Sequence, residues 1–237
     1  YKVNCSPDKL QDIVLADAVQ WVETIQKRKV MNDLGTRKIK SYYARVAHPG
    51  LDGSGVIVGV VDTGVDAKHP DFSDPSIPGS NRVVYYEYAP SVTSDGLEGD
   101  GNMHGTHVSG SVLGNGLYSF NAPSIPGSGQ PYNFAGSAPN AKLIMIEDFN
   151  SFTDADLVQK IYSRGGRLCN NSWGASWPWY DTMSASWDGL VRDADPVTPG
   201  NQQYILFFAA GNDGGGNTDG SGGFAGSVGM PGNAKNV

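Results

Sequence analysis

The 237-residue sequence has few cysteines, few histidines and no long apolar run. Its two cysteines, Cys5 and Cys169, cannot form a disulfide framework and leave the redox compartment undecided. No stretch reaches the roughly 18 apolar residues that a membrane-spanning helix needs. We therefore predict neither a disulfide-stabilised scaffold nor a membrane partner.

Positive charge is also scarce, because 17 Lys and Arg face 24 Asp and Glu, for a formal net charge of −7. No basic patch is interleaved with aromatic residues, so nucleic-acid binding is not predicted. Glycine is abundant, with 32 residues, against an average share of about 7%. Because these glycines fall in short segments between apolar runs, they indicate many tight turns.

From residue 55 onward, short apolar runs alternate with helical patterns. The predicted helices cover residues 104–113, 154–164 and 180–193. The predicted strands are Val56–Val61, Leu143–Ile146, Leu168–Asn171 and Tyr204–Ala210. Continuous apolar runs are typical of strands buried on both faces. The alternation predicts an α/β fold with three layers, in which a mostly parallel sheet has helices on both faces.

Polar residues follow three of these strands, where parallel sheets form their sites. Asp62 follows the first strand, Ser172 follows the third and Asn212 follows the last, while His104 opens a helix. Each has an ordinary explanation when taken alone, as a turn residue, a helix cap or a core histidine. Their convergence on one edge of the sheet favours a shared site.

Four segments together resemble the signature segments of the subtilisin-like serine proteases, the subtilases. They are VVDTGVDAKHPDF from residue 60, HGTHVSG from residue 104, NNSWGAS from residue 170 and ILFFAAGNDG from residue 205. The resemblance runs from Asn32 to Val237, and HGTHVSG is highly specific. It implies a subtilisin-like peptidase domain over 32–237 that is incomplete at its C-terminal side.

The resemblance implies a catalytic role for three residues. Asp62 matches the aspartate that orients the histidine, and His104 matches the general base. Asn212 matches the amide that donates to the oxyanion. His107 matches a position without a proton-transfer role, and we expect it to pack structurally.

Polypeptide substrates are implied as well, bound as an added strand along two chain segments. The resemblance assigns these substrate-binding positions to Ser172, Trp173 and Gly174 on one side and to Ala209, Ala210 and Gly211 on the other.

The nucleophilic serine is the missing part of the resemblance. The family carries it in a Gly-Thr-Ser-Met-Ala segment, and no such segment occurs in these 237 residues. We therefore expect this chain alone to be inactive. A non-catalytic pseudo-peptidase that uses the cleft for binding or regulation is the alternative.

Residues 1–31 resemble the end of the family's inhibitory propeptide, with self-cleavage expected near Met31–Asn32. The intact protein would then have its own propeptide as inhibitor, and the family implies a secreted or extracytoplasmic location. The alternative is a simple N-terminal extension.

No cofactor is required for the implied chemistry, and no catalytic metal is predicted. Structural calcium is a further expectation, since hard carboxylate oxygens suit this ion. The candidate acidic loops are Asp95, Glu98 and Asp100, and Asp213 with Asp219; solvated acidic loops are the alternative. A metal hydrolase built on His104, His107 and Asp62 lacks the glutamate of H-E-x-x-H.

Overall fold

The computed structural model describes residues 6–16, 19, 32–88, 99–117, 134–216 and 221–237. It divides into two compact units, Tyr1–Met31 and Asn32–Val237. In the first unit, helix α1 spans Pro7–Val14 with Ser6 as its N-cap residue. The sequence also predicts a short strand over Val19–Ile25, and residues 20–25 lie outside the described residues. Within the described part of the chain, no helix is long and apolar enough to cross a membrane.

The second unit is built on a five-stranded sheet in which every pairing is parallel. The strand order is β2-β3-β1-β4-β5, which confirms the predicted parallel α/β architecture. The strands are β1 (Ile57–Asp62), β2 (Val83–Glu87), β3 (Lys142–Glu147), β4 (Leu168–Asn171) and β5 (Ile205–Phe208).

Helices cover both faces of this sheet. The helices are α2 (Asn32–Lys38), α3 (Ser41–Ala47), α4 (His104–Leu113), α5 (Asp154–Tyr162) and α6 (Thr182–Leu190), with a 3₁₀ turn at Pro70–Phe72. On one face, α5 and α6 pack over Val61, Ile146 and Leu206. On the other face, α4 contacts β1 and β3 and shares a core with Val60 and Met145.

The predicted helix over 104–113 and the predicted strand over 168–171 match the structure at both ends. The other predicted elements shift by a few residues at their ends. Among the described elements, those that were not predicted include α2, α3, the 3₁₀ turn at Pro70–Phe72 and the edge strand β2. The β2 run, VVYYE, is only partly buried, so it lacks the continuous apolar character that marks the central strands.

Strand β5 differs from the central strands because, within the described part of the chain, only one of its faces is covered. Leu206 is buried on the side of α5 and α6. Ile205 and Phe207 point to the opposite face, as successive strand residues must, and are 56% and 53% exposed. Helix α4 covers β1 and β3 on that face, so the apolar run of β5 is not buried on both faces as the sequence suggested.

Candidate active site

Asp62 and His104 are brought into direct contact at the carboxyl end of β1. Nδ1 of His104 lies 2.7 Å from Oδ1 of Asp62. The same oxygen accepts a hydrogen bond from the backbone N–H of Thr63 at 2.8 Å. A carboxylate can only accept, so Nδ1 carries the ring proton and the other ring nitrogen is left as the basic one. The pair therefore has the arrangement of an oriented general base.

The two side chains differ in exposure. The Asp62 side chain is 2% exposed, whereas the His104 side chain is 50% exposed. Within the described part of the chain, Oδ2 of Asp62 is buried and has no hydrogen-bond partner. The carboxylate is thus held away from solvent while the imidazole remains accessible.

Gly105 allows the close approach of helix α4 to strand β1. A Cβ atom at this position would lie 2.1 Å from the carbonyl oxygen of Gly64 and 3.0 Å from Cβ of Asp62. No side chain fits in that space. The glycine that follows the histidine in HGTHVSG is therefore what lets the imidazole reach the carboxylate.

Asp100 links the start of α4 to the segment after β1 through hydrogen bonds. Its Oδ1 accepts a hydrogen bond from the Thr63 hydroxyl at 2.8 Å, and its Oδ2 accepts one from the Thr106 N–H at 2.8 Å. The Thr63 hydroxyl oxygen in turn accepts the Gly105 N–H at 3.0 Å. A carboxylate placed ahead of the first turn also suits the positive end of the helix dipole. Sequence reasoning placed Asp100 only in an acidic loop and missed this role.

Met103 precedes the histidine in a left-handed conformation, with φ 66°. Such a conformation costs a non-glycine residue roughly 1–2 kcal/mol. Its side chain is 74% exposed, so burial within the described chain does not offset that cost. No residue pattern around Met103 indicates this strained position in advance.

All but one of the remaining predicted residues border a cleft of about 230 Å³ at the same edge of the sheet. Ser172, Trp173 and Gly174 line it after β4, and Ala209, Gly211 and Asn212 line it after β5. Ala210 is not among the lining residues; its carbonyl instead accepts the N–H of Gly229 at 3.3 Å. The lining also includes Ala175, Ser176, Asp213, Gly229 and Met230, which sequence reasoning had not assigned.

Gly229 and Met230 form the wall of the cleft opposite Ala175. Ala175 and Met230 pair as an antiparallel bridge, and the Ala175 N–H donates to the Met230 carbonyl at 2.8 Å. A Cβ at Gly229 would lie 2.2 Å from the Ala175 carbonyl oxygen. In the sequence, the glycine next to Met230 is the feature that could have indicated this close approach.

Trp173 lines the cleft, but its indole packs against the core. Its Nε1–H donates to the carbonyl of Val61 at 3.1 Å. The ring stacks on Phe149 with centroids 4.8 Å apart and meets Phe208 edge-on. Trp173 therefore ties the ends of β1, β4 and β5 together.

His107 lies at the surface of α4 and not in the core. It is exposed and lines a separate cavity of about 470 Å³ together with His69 and Asp71. The reason is its position three residues after His104, which places it on the accessible side of α4. A metal centre gains no support here, because the described residues contain no group of three or more His, Cys, Asp or Glu able to hold an ion.

The predicted calcium sites stay a prediction. Asp95, Glu98 and Asp219 lie outside the described residues, and Asp213 is exposed at the cleft. The Asp100 carboxylate is occupied by its bonds to Thr63 and Thr106.

Comparison with known proteins matches residues 53–237 to the subtilase family. Fervidolysin of Fervidobacterium pennivorans is 32% identical over 148 residues, which cover 57% of this chain and 19% of that protein. Subtilisin-like protease 1 of Arthroderma benhamiae is 45% identical over 118 residues, which cover 45% of this chain and 27% of that protein. The chain thus spans less than a third of the length of these curated relatives.

Among solved structures, the chain is similar to crystalline fervidolysin, with a TM-score of 0.41 and 24% identity over 70% of this chain and 22% of that one. It is also similar to the CspB protease of Clostridium perfringens, with a TM-score of 0.47 and 20% identity over 73% of this chain and 39% of that one. The family match covers most of the chain, including every residue of the site described above. This chain belongs to the subtilase family of serine peptidases.

Proposed function

We propose that the protein to which this chain belongs is a serine endopeptidase, with Asp62 and His104 as two members of its catalytic triad. The observation that carries the proposal is the 2.7 Å contact between Nδ1 of His104 and the buried Asp62 carboxylate. Asp62 fixes the tautomer of the ring and stabilises the imidazolium, and His104 takes the proton of the attacking hydroxyl. The attacking serine comes from the family's Gly-Thr-Ser-Met-Ala segment, which these 237 residues lack.

Asn212 supplies the side-chain amide that donates to the oxyanion of the tetrahedral intermediate. Its place supports this role, since it is exposed at the cleft after β5. Polypeptide substrates bind as an extended strand between the segment at Ser172–Gly174 and the segment at Ala209–Gly211. The acyl-enzyme that forms on the serine is then hydrolysed by water.

Residues 1–31 act as the tail of an inhibitory propeptide in this proposal, and cleavage near Met31–Asn32 releases it. The division into units at Met31 and Asn32 agrees with such a boundary. A secreted or extracytoplasmic location and structural calcium follow from the same proposal. Sequencing the N-terminus of the mature protein checks the cleavage position.

The experiment is hydrolysis of a fluorogenic peptide by the full-length protein and by its His104→Ala variant. We expect the variant to lose about 10⁶-fold in kcat, as expected for loss of the base of such a triad. The 237-residue chain alone should show no hydrolysis and no covalent labelling by a serine-directed phosphonate. Peptide binding without hydrolysis by the full-length protein would favour a pseudo-peptidase instead.

A further inference from the structure

Strand β2 carries, near its end, a tyrosine that reaches the segment behind the catalytic aspartate. Tyr86 is partly buried and packs into the core on the α4 side of the sheet. Its hydroxyl oxygen accepts the N–H of Val65 at 3.4 Å, which is long for such a bond, and its hydroxyl donates to Oε2 of Glu147 at 3.0 Å. We call residues Asp62–Val65 the aspartate loop. The phenol therefore connects the edge strand with this loop.

Gly64 gives the phenol its place against the aspartate loop. A Cβ atom at Gly64 would lie 2.8 Å from the Tyr86 hydroxyl oxygen. Gly64 also has a φ of 118°, a conformation that glycine adopts without the strain that a side chain would add. The Tyr86 hydroxyl therefore lies directly against the backbone of the loop.

Strand β3 holds the same loop beside the phenol. Glu147 is the register partner of Asp62 in the parallel pairing of β1 with β3. The next residue, Asp148, donates its N–H to the Asp62 carbonyl at 2.9 Å. The aspartate loop is thus held by β2 and β3 on one side, and by Asp100 on the side of α4.

The protonation state of the phenol suits this arrangement. Burial, and then the Glu147 carboxylate, raise the pKa of Tyr86 above its ordinary value. A protonated phenol can donate to the carboxylate while its oxygen accepts the Val65 N–H, and hydrogen bonds in such a chain polarise one another. The ring also stacks on Tyr88 with centroids 4.5 Å apart, so its position is restricted.

The orientation of the Asp62 carboxylate depends on the backbone of this loop. Its Oδ1 accepts the Thr63 N–H at 2.8 Å and the ring N–H of His104 at 2.7 Å. A shift of the loop would move the Thr63 N–H and the carboxylate together, away from the imidazole. Misplacing a catalytic group by about 1 Å can cost roughly 10²-fold in rate.

We propose that Tyr86, with Glu147 as its acceptor, is a positioning residue that fixes the aspartate loop and so directs the Asp62 carboxylate at His104. The effect on turnover rests on the proposed function. The effect on the contact between Asp62 and His104 does not, because both residues lie within this chain.

Tyr86→Phe tests the proposal, because it removes the hydroxyl and keeps the ring that stacks on Tyr88. In the full-length protein we expect kcat for a fluorogenic peptide to fall about tenfold while KM changes less than about twofold. The loss should lie in kcat because positioning of the dyad acts on the transition state and not on substrate binding.

Tyr85→Phe is the matched control. Tyr85 is the preceding residue of β2, packs against the core on the opposite face, beside α5, and donates its hydroxyl to Glu87. This substitution removes the same kind of bond from the same strand and should leave kcat unchanged. Equal losses of kcat in the two tyrosine variants, or a loss in Tyr86→Phe that lies in KM, would overturn the inference.

Two substitutions of Glu147 test whether the phenol acts through this acceptor. Glu147→Gln keeps an acceptor for the hydroxyl and should retain kcat within about threefold, whereas Glu147→Ala removes the acceptor and should lose about tenfold. If the two residues act as one unit, Tyr86→Phe/Glu147→Ala should be no less active than Tyr86→Phe. Losses that multiply in the double variant would contradict the shared role.

NMR of this chain separates the two proposals. The chemical shifts of the two ring nitrogens of His104 report which nitrogen carries the proton and whether that proton is bonded to the carboxylate. Tyr86→Phe should move the Nδ1 shift towards that of an unbonded ring, and Tyr85→Phe should not. If the full-length protein hydrolyses nothing while the shift responds in this way, the proposed function fails and the positioning role is retained. If hydrolysis occurs and Tyr86→Phe changes neither kcat nor the shift, the positioning role fails alone.

Discussion

The residues around Asp62 and His104 are hydrogen-bonded to one another, and we call this region the closed side. The residues around Asn212 are exposed to solvent, and we call that region the open side. On the closed side, the Asp100 carboxylate and the Thr63 hydroxyl bind the start of α4 to the end of β1. On the open side, Asn212 is exposed. Ile205 and Phe207 are exposed as well, on one face of β5. The contact between Asp62 and His104 is therefore supported by bonds within the described residues, while the side of Asn212 exposes apolar surface.

The largest expected effect is on the closed side, at Gly105. Gly105→Ala would place a Cβ 2.1 Å from the Gly64 carbonyl oxygen, so α4 must move away from β1. We expect a loss of about 3 kcal/mol or more in the free energy of unfolding, measured by denaturant titration of this chain.

Gly110→Ala is the matched control, because it lies in the same helix and its Cβ would meet nothing within 4 Å. Replacing a mid-helix glycine by alanine should raise stability by roughly 0.5–1 kcal/mol. Equal effects of the two substitutions would show that the close approach at Gly105 is not what holds α4 in place.

Asn212→Ala tests the open side through turnover. Loss of an oxyanion donor lowers kcat by about 10²–10³-fold, assayed with the full-length protein. Because Asn212 is exposed, the free energy of unfolding should change by less than about 0.5 kcal/mol. A large loss of stability with little loss of kcat would make Asn212 a structural turn residue.

Two neighbouring residues on β5, one buried and one exposed, further test the comparison between the covered and the exposed face. Leu206→Ala removes a side chain that is 3% exposed and should cost about 2–5 kcal/mol. Phe207→Ala removes one that is 53% exposed and should cost under about 0.5 kcal/mol in this chain. Thermal unfolding of both variants checks this, and a Phe207 variant as unstable as the Leu206 variant would contradict the open face.

The smallest expected effect is the pH dependence of stability that Cys169 contributes. This residue lies in the core beneath the site. Burial raises the pKa of its thiol to about 12, from an ordinary value of about 8.5. The native state therefore holds this proton more tightly than the unfolded state. Stability from this group is complete below about pH 8.5 and falls as the pH rises towards 12.

Thiol labelling checks this, because only the thiolate reacts. In a Cys5→Ser background at pH 8, Cys169 should react with a disulfide reagent no faster than the chain unfolds. Labelling within seconds under native conditions would contradict a buried thiol, and labelling in urea provides the positive control.

The sequence predicted the central elements because their signals are local. The runs of β1 and β3 are buried and apolar over most of their length, and α4 carries its own signature from His104 onward. The contact between Asp62 and His104, which are 42 positions apart, was expected from the resemblance of their two segments to the subtilases and not from a local signal.

What the sequence did not predict depends on contacts between distant residues. The bond from Thr63 to Asp100 joins residues 37 positions apart, and nothing local marks it. The Trp173 indole packs inward and Phe207 is exposed. Both outcomes depend on which neighbouring elements cover each face of the sheet. The exposure of His107 likewise depends on which side of α4 is accessible, the side on which His104 also lies.

The most direct test of the central claim is a double-mutant cycle on kcat/KM in the full-length protein, using Asp62→Ala, His104→Ala and both together. If the two residues act as one unit with the serine, the double variant should be no less active than His104→Ala alone. If the two losses simply multiply, Asp62 and His104 act independently, and the account of the site is wrong.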